Sequence, residues 1–165
     1  MRRNPVSYGT SMKNGEGQDF LVCRAAGRLC ALPLAHVIET MRPLPLRRLS
    51  AAPQFVAGVS VIRGLPTPVL DTGTLLDGST SAPGRLVSVR TGERAVALAF
   101  DAVLGIRSIL NDSLHRLPPL LDPAGSEVVA AIGALDEELL VVLEGSRLLP
   151  AAAWDAIRDQ HGAGA

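Results

Sequence analysis

Apolar residues occur in short runs broken by Gly, Pro and charged positions, and most runs alternate with period two. Residues 20–25 and 28–32 flank the turn signal Ala26-Gly27, which predicts a hairpin that Pro33 ends. Residues 34–40, with Val37, Ile38 and Glu39, read as a short helical turn or an irregular link, because Pro43 and Pro45 forbid a long helix. Residues 44–49 suggest a short strand and residues 50–53 a loop. Strands follow at 59–62 and 67–70, with Pro66 and Pro68 pushing the latter toward a sheet edge or a bulge. A turn of helix at 74–76 precedes a linker of turn formers, residues 77–84.

The pattern then restarts, with strands at 85–90 and 94–100 around Thr91-Gly92, and a third at 103–109 interrupted at Gly105. In 94–100, Val96, Leu98 and Phe100 alternate with Ala95, Ala97 and Ala99, so one face is large, the other small, and both can be covered. Residues 111–127 form a long irregular stretch with Pro118, Pro119 and Pro123. A second hairpin-like pair, 128–134 and 139–143, surrounds Asp136-Glu137-Glu138. Leu149, Ala153, Ala156 and Ile157 are spaced as one face of a terminal helix over 146–159, with Trp154 at its margin. Many short strands with little helix indicate an all-β protein built from two small barrels or curled sheets.

Composition sharpens this reading. Hydrophobic residues make up 47% of the 165, charged ones 19% and aromatics only 3%. The core therefore consists of Val, Leu, Ile and Ala, and small barrels with such cores need to share an apolar face. Sixteen basic residues balance sixteen acidic ones, and no aromatics interleave with the cluster Arg42, Arg47 and Arg48, which argues against nucleic-acid binding. No stretch approaches the roughly 20 apolar residues of a membrane helix, and residues 1–18 are polar, so the expectation is a cytoplasmic protein with loose ends at 1–18 and 161–165. Cys23 and Cys30 fall opposite each other in the first hairpin, and reduced core thiols are the favoured reading over a cross-strand bond. No His stands at a spacing that would complete a zinc site with them.

No catalytic constellation emerges. His36, His115 and His161 are scattered, there is no Gly-x-Ser-x-Gly elbow, and no phosphate loop or dinucleotide fingerprint occurs. The expectation is no enzyme, no cofactor and no metal. What remains is a protein-binding module, with Arg63 at a strand end suited to forked hydrogen bonding at an interface; a plain surface arginine is the alternative reading.

The run Gly58-Val-Ser-Val-Ile-Arg-Gly-Leu-Pro-Thr-Pro-Val-Leu-Asp71 resembles the CheW family of bacterial chemotaxis adaptors, whose pattern is Gly-Val-x-Asn-Leu-Arg-Gly-x-x-x-Pro-Val-x-Asp-Leu. Gly58, Val59, Arg63, Gly64, Pro68, Val69 and Asp71 match it. Phe20-Leu-Val, Gly27, Ala31-Leu-Pro-Leu34, the Val37-x-Glu39 step and Ala52-Pro53 resemble the family's first half. Ala97 to Gly105, Ile132-Gly133, Leu140 to Leu143 and Leu148-Leu149 resemble its second, so the likeness spans about residues 19–158.

The resemblance implies two five-stranded SH3-like β-barrels packed around an apolar seam, with a C-terminal helix. It implies one domain over 19–160, with barrels at about 19–76 and 85–145 that can exchange terminal segments. It implies a non-catalytic adaptor between the cytoplasmic tip of a chemoreceptor, held in a groove between the barrels, and the regulatory domain of a CheA-type histidine kinase. By position, the receptor-side candidates are Val37, Glu39, Gly58, Arg63 and Gly64, with Gly58 permitting close approach and Arg63 orienting the receptor-facing loop or bracing the fold. Three residues depart from the pattern: Val61 replaces Asn, Pro66 intrudes after Arg-Gly, and Thr72 stands at an apolar position. These departures leave open an accessory adaptor with weakened kinase binding. The reading from another class is a ligand-binding or enzymatic barrel with a polar cleft.

Overall fold

The computed structural model describes residues 16–80, 83–116, 128–144 and Trp154. The strands are β1 (Gly17–Ala25), β2 (Arg28–Pro33), β3 (Val37–Met41), β4 (Val56–Ile62), β5 (Leu65–Asp71), β6 (Arg85–Thr91), β7 (Arg94–Phe100), β8 (Ala102–Leu110), β9 (Leu114–His115), β10 (Val129–Leu135) and β11 (Glu138–Leu143). One short helix, α1 (Thr72–Asp77), lies between β5 and β6. Asp71 caps it by accepting a hydrogen bond from the Thr74 backbone N–H, and Gly78 ends it in the left-handed conformation.

Turn chemistry explains the hairpins. Ala26-Gly27, Arg63-Gly64 and Asp136-Glu137 each join two antiparallel strands, and all six residues have positive φ, between 49° and 79°. This is the type I′ geometry, whose twist matches that of the flanking strands.

The strands form two sheets, in the orders β8-β1-β2-β11-β10-β9 and β3-β6-β7-β5-β4. Strand pairing cuts across the 77–84 linker. The first hairpin joins the C-terminal one, with β2 running parallel to β11, and β8 pairs along β1. The second sheet takes all its strands from β3 to β7. Two bare edges of the N-terminal hairpin are thereby covered by later strands. The sixth strand of the first sheet is only the two-residue β9.

Three apolar clusters follow from the period-two alternation. Phe20, Val22, Leu29, Ala31, Leu140 and Val142 fill the first sheet's own interior. Ile62, Val69, Leu86, Ala97 and Ala99 fill the second's. The largest cluster is the seam between them, where Leu21, Cys23, Cys30 and Leu32 meet Val87, Val96, Leu98 and Phe100. In β7 the large residues thus face the seam and the alanines face the narrow interior.

Local expectations differ from the structure in four places. Residues 37–41 form strand β3, because the helical turn is confined to Leu34–His36 and the β-branched residues after it pair with β6. Residues 44–49 make only an isolated bridge, Arg47 to Val59, since Pro43 and Pro45 lack ladder donors. Gly105 does not break β8; with φ at 132° it absorbs a bulge opposite Val22 and Cys23. The chain enters β1 at Gly17, inside the stretch read as a tail. The expected helix over 146–159 lies outside the described residues except for Trp154, which is helical. Residues 1–15, 117–127 and 161–165 also lie outside them.

Cys23 and Cys30 are directly opposed, buried and unbonded. Burial pushes both thiols up to about 12. At pH 8 neither should react with a disulfide reagent until the protein unfolds, when two thiols should titrate. Fast reaction of the native protein would show the hairpin to be open. Because the folded pKa is raised, the stabilisation is complete below the ordinary thiol value of 9.0 and is lost as pH rises from there toward 12.

Candidate functional site

The tight turn between β4 and β5 sets the site. Arg63 and Gly64 occupy its two central positions, with φ of 53° and 79°. A non-glycine residue there is held in the left-handed region by the strands on either side, so the Arg63 side chain leaves the sheet from a rigid base. It meets Glu39 of β3. Arg63 Nη2 donates to Glu39 Oε2 at 2.6 Å, and Nε donates to Oε2 at 3.0 Å and Oε1 at 3.2 Å. Those bonds use one side of the guanidinium. No described residue accepts from Nη1. The Glu39 side chain is 25% exposed and that of Arg63 78% exposed.

β3 and β4 are the two edges of their sheet. The ion pair therefore spans opposite edges, and the sheet must curl to bring them together. The Arg63 hydrogen bonds hold the Glu39 carboxyl below its ordinary range. The pair consequently survives through neutral pH and breaks only on strong acidification.

The other candidates lie behind this pair. Gly64 completes the turn and is exposed. Val37 is half-buried, pairs with Val89 and packs on the seam, across a bulge from Glu39. Gly58 is buried in β4 beneath the chain at Arg47. A Cβ at Gly58 would stand 2.6 Å from the Arg47 carbonyl oxygen, so the close approach it permits is made by its own chain. Glu39, Arg63 and Gly64 form one exposed cluster, with Val37 and Gly58 set back from it.

The departures from the motif have local explanations. The bonds between Val59 and Arg47, both 2.9 Å, point the Val59 backbone away from β5. Val59 opposite Pro68 and Val61 opposite Pro66 are therefore non-hydrogen-bonded pairs. The missing proline donors face away from β4, ahead of the β5–β7 pairing, which starts only at Val69. Pro66 thus removes no bond from the β4–β5 ladder. Val61 is 67% exposed, where an apolar side chain has nothing to bury against. Thr72 is fully buried and its hydroxyl has no partner among the described residues. Thr72→Val should stabilise the protein by about 1 kcal/mol in chemical denaturation; a loss of stability would mean that the hydroxyl is paired after all.

Beside the ion pair lies a groove of about 590 Å³, lined by Ile38, Leu65, Pro66, Pro68, Arg94 and Trp154 among others. Ile38 and Leu65 are exposed apolar residues next in sequence to Glu39 and Gly64. Val59, also in the lining, belongs to the seam cluster, so the groove opens at an end of the seam. Sequence reasoning passed over Ile38 and Leu65; their position beside two motif residues was the available signal. Among the described residues no His, Cys, Asp or Glu group has the geometry to hold a metal ion. No described helix is long and apolar enough to cross a membrane.

Comparison with known proteins decides the family. The model of the CheW-like domain matches residues 19–153. The chain belongs to the CheW-like family. It is 24% identical to the chemotaxis protein CheW of Klebsiella aerogenes over 140 residues, 81% of this chain and 82% of that one. It is 33% identical to protein FrzA of Myxococcus xanthus over 148 residues, 85% of this chain and 90% of that protein. Its fold matches the crystal structure of the scaffolding protein TtCheW from Thermoanaerobacter tengcongensis, with a TM-score of 0.73 at 20% identity, covering 84% and 96% of the two chains. The two sheets are accordingly the paired SH3-like units of CheW. The chain is a member of a family of chemotaxis scaffolds and adaptors.

Proposed function

We propose that this protein is a cytoplasmic, non-catalytic adaptor that couples the tip of a chemoreceptor to a CheA-type histidine kinase. One observation carries the reading: an arginine fixed on a rigid turn, pinned on one side by Glu39 and open on the other, stands beside an apolar groove at the end of the seam. An adaptor needs such a preorganised donor, because little ordering cost is then left for binding. The groove favours this over a catalytic cleft, since its described walls are mainly apolar and no cluster of acid, base and nucleophile stands among the described residues there.

The test is binding of the full chain to a receptor tip fragment and, separately, to the kinase's regulatory domain. Binding to both is the expected result. Binding to the receptor alone makes it an accessory adaptor. Binding to neither folded fragment sinks the coupling role. Arg63→Ala should weaken receptor binding by about tenfold or more, with the melting temperature nearly unchanged, because the arginine is exposed. Weakened binding together with a collapse in melting temperature would reduce Arg63 to a brace between sheet edges.

A further inference from the structure

Away from Arg63 the groove has a second charged wall. Arg90, near the end of β6, and Arg94, opening β7, line it on either side of the turn at Gly92-Glu93. The Arg94 guanidinium carbon lies 4.9 Å from the centroid of the Trp154 ring. Stacking there fixes the guanidinium plane and leaves its edge N–H groups free to donate. Neither arginine forms an ion pair with a described residue, whereas Arg63 is neutralised by Glu39. Glu93 is the single acidic residue among the described residues of the lining, exposed at the tip of the turn. This wall therefore carries two cations against one anion, beside an aliphatic floor of Ile38, Leu65, Pro66 and Pro68.

The floor also selects the backbone that can lie on it. Ahead of the pairing with β7 that starts at Val69, this side of β5 has no N–H at residues 66 and 68, because both are prolines. An added strand would find no donors on this flank. An α-helix satisfies its own backbone and loses nothing there. We infer that the groove takes an α-helix whose apolar stripe is bordered by acidic residues, with Arg90 and Arg94 pairing to those carboxylates. This rests on the groove being the receptor-facing surface, and it adds the chemistry of the helix that surface selects.

Two stapled helical peptides test it against the full chain by fluorescence anisotropy. Both carry the same Leu/Ala stripe; one is flanked by Glu, the other by Lys. The Glu peptide should bind about tenfold tighter, and the margin should shrink as salt rises from about 0.05 to 0.5 M. The double variant Arg90→Glu/Arg94→Glu, shown by circular dichroism to be folded, should reverse the preference. Equal binding, no binding of either peptide, or a preference that the double variant leaves unmoved overturns the inference. So does tighter binding of an unstapled, proline-interrupted peptide of the same composition, or a concentration-dependent dimer that excludes both peptides. If the Glu peptide is preferred but the receptor tip does not bind, the adaptor reading falls and the groove assignment stands. If the receptor tip binds without any peptide preference, only the groove assignment falls.

Discussion

Phe100→Ala should destabilise the protein by about 3–5 kcal/mol and unfold both sheets in one transition. Phe100 ends β7, is fully buried, and is one of the largest side chains in the seam. The seam draws its side chains from both sheets, while each sheet's own interior is smaller. A cavity there removes packing from both units at once. Domains of this kind are typically stable by only about 5–15 kcal/mol, so the variant would lie near the folding threshold. Its melting temperature should drop by about 10 °C or more. Trp154, the single tryptophan, packs on the same cluster and reports by fluorescence, while far-ultraviolet circular dichroism reports the strands. The two denaturation curves should coincide at a lowered midpoint. Two separate transitions would show that the sheets are independent units and that the seam is not the common core.

Gly58→Val should cost about 2–4 kcal/mol, from backbone strain and lost hydrogen bonds together. Gly58 has φ of 155° at a bulge in β4, a conformation side chains rarely adopt, and the new Cβ would stand 2.6 Å from the Arg47 oxygen. A backbone atom cannot rotate aside as a side chain can. Residues near 47 must therefore lift off β4, and both 2.9 Å bonds between Arg47 and Val59 break. Hydrogen exchange should show those two amides exposed before the rest of the sheet. Receptor binding should fall as well, because β4 supports the turn that carries Arg63. An unchanged exchange pattern with lost receptor binding would instead place Gly58 in the interface itself.

Much of this was legible along the chain because the signals are local. A period-two run reports its own two faces, and β7 needed only its alternating Ala and large residues to be read correctly. A two-residue turn between apolar runs reports a hairpin, and Ala26-Gly27 did so. The Arg63-Gly64 motif and its neighbours marked the family and the exposed arginine. Where expectation and structure differ, the competing influence was non-local. Residues 37–41 became a strand because β6 offered a partner, and Gly105 stayed within β8 because β1 could accommodate a bulge.

By itself, the sequence determined the all-β class, the hairpins, the aliphatic core and the motif that names the family. These depend on residues close together in the chain. Only the tertiary structure decided which strands share a sheet, that Glu39 and Arg63 clamp opposite edges of one of them, and that Pro66 and Pro68 leave a donor-free wall beside Trp154. Those features arise when a twisted sheet curls and distant segments compete for its open edges, and the free energy that settles the competition belongs to the packed whole.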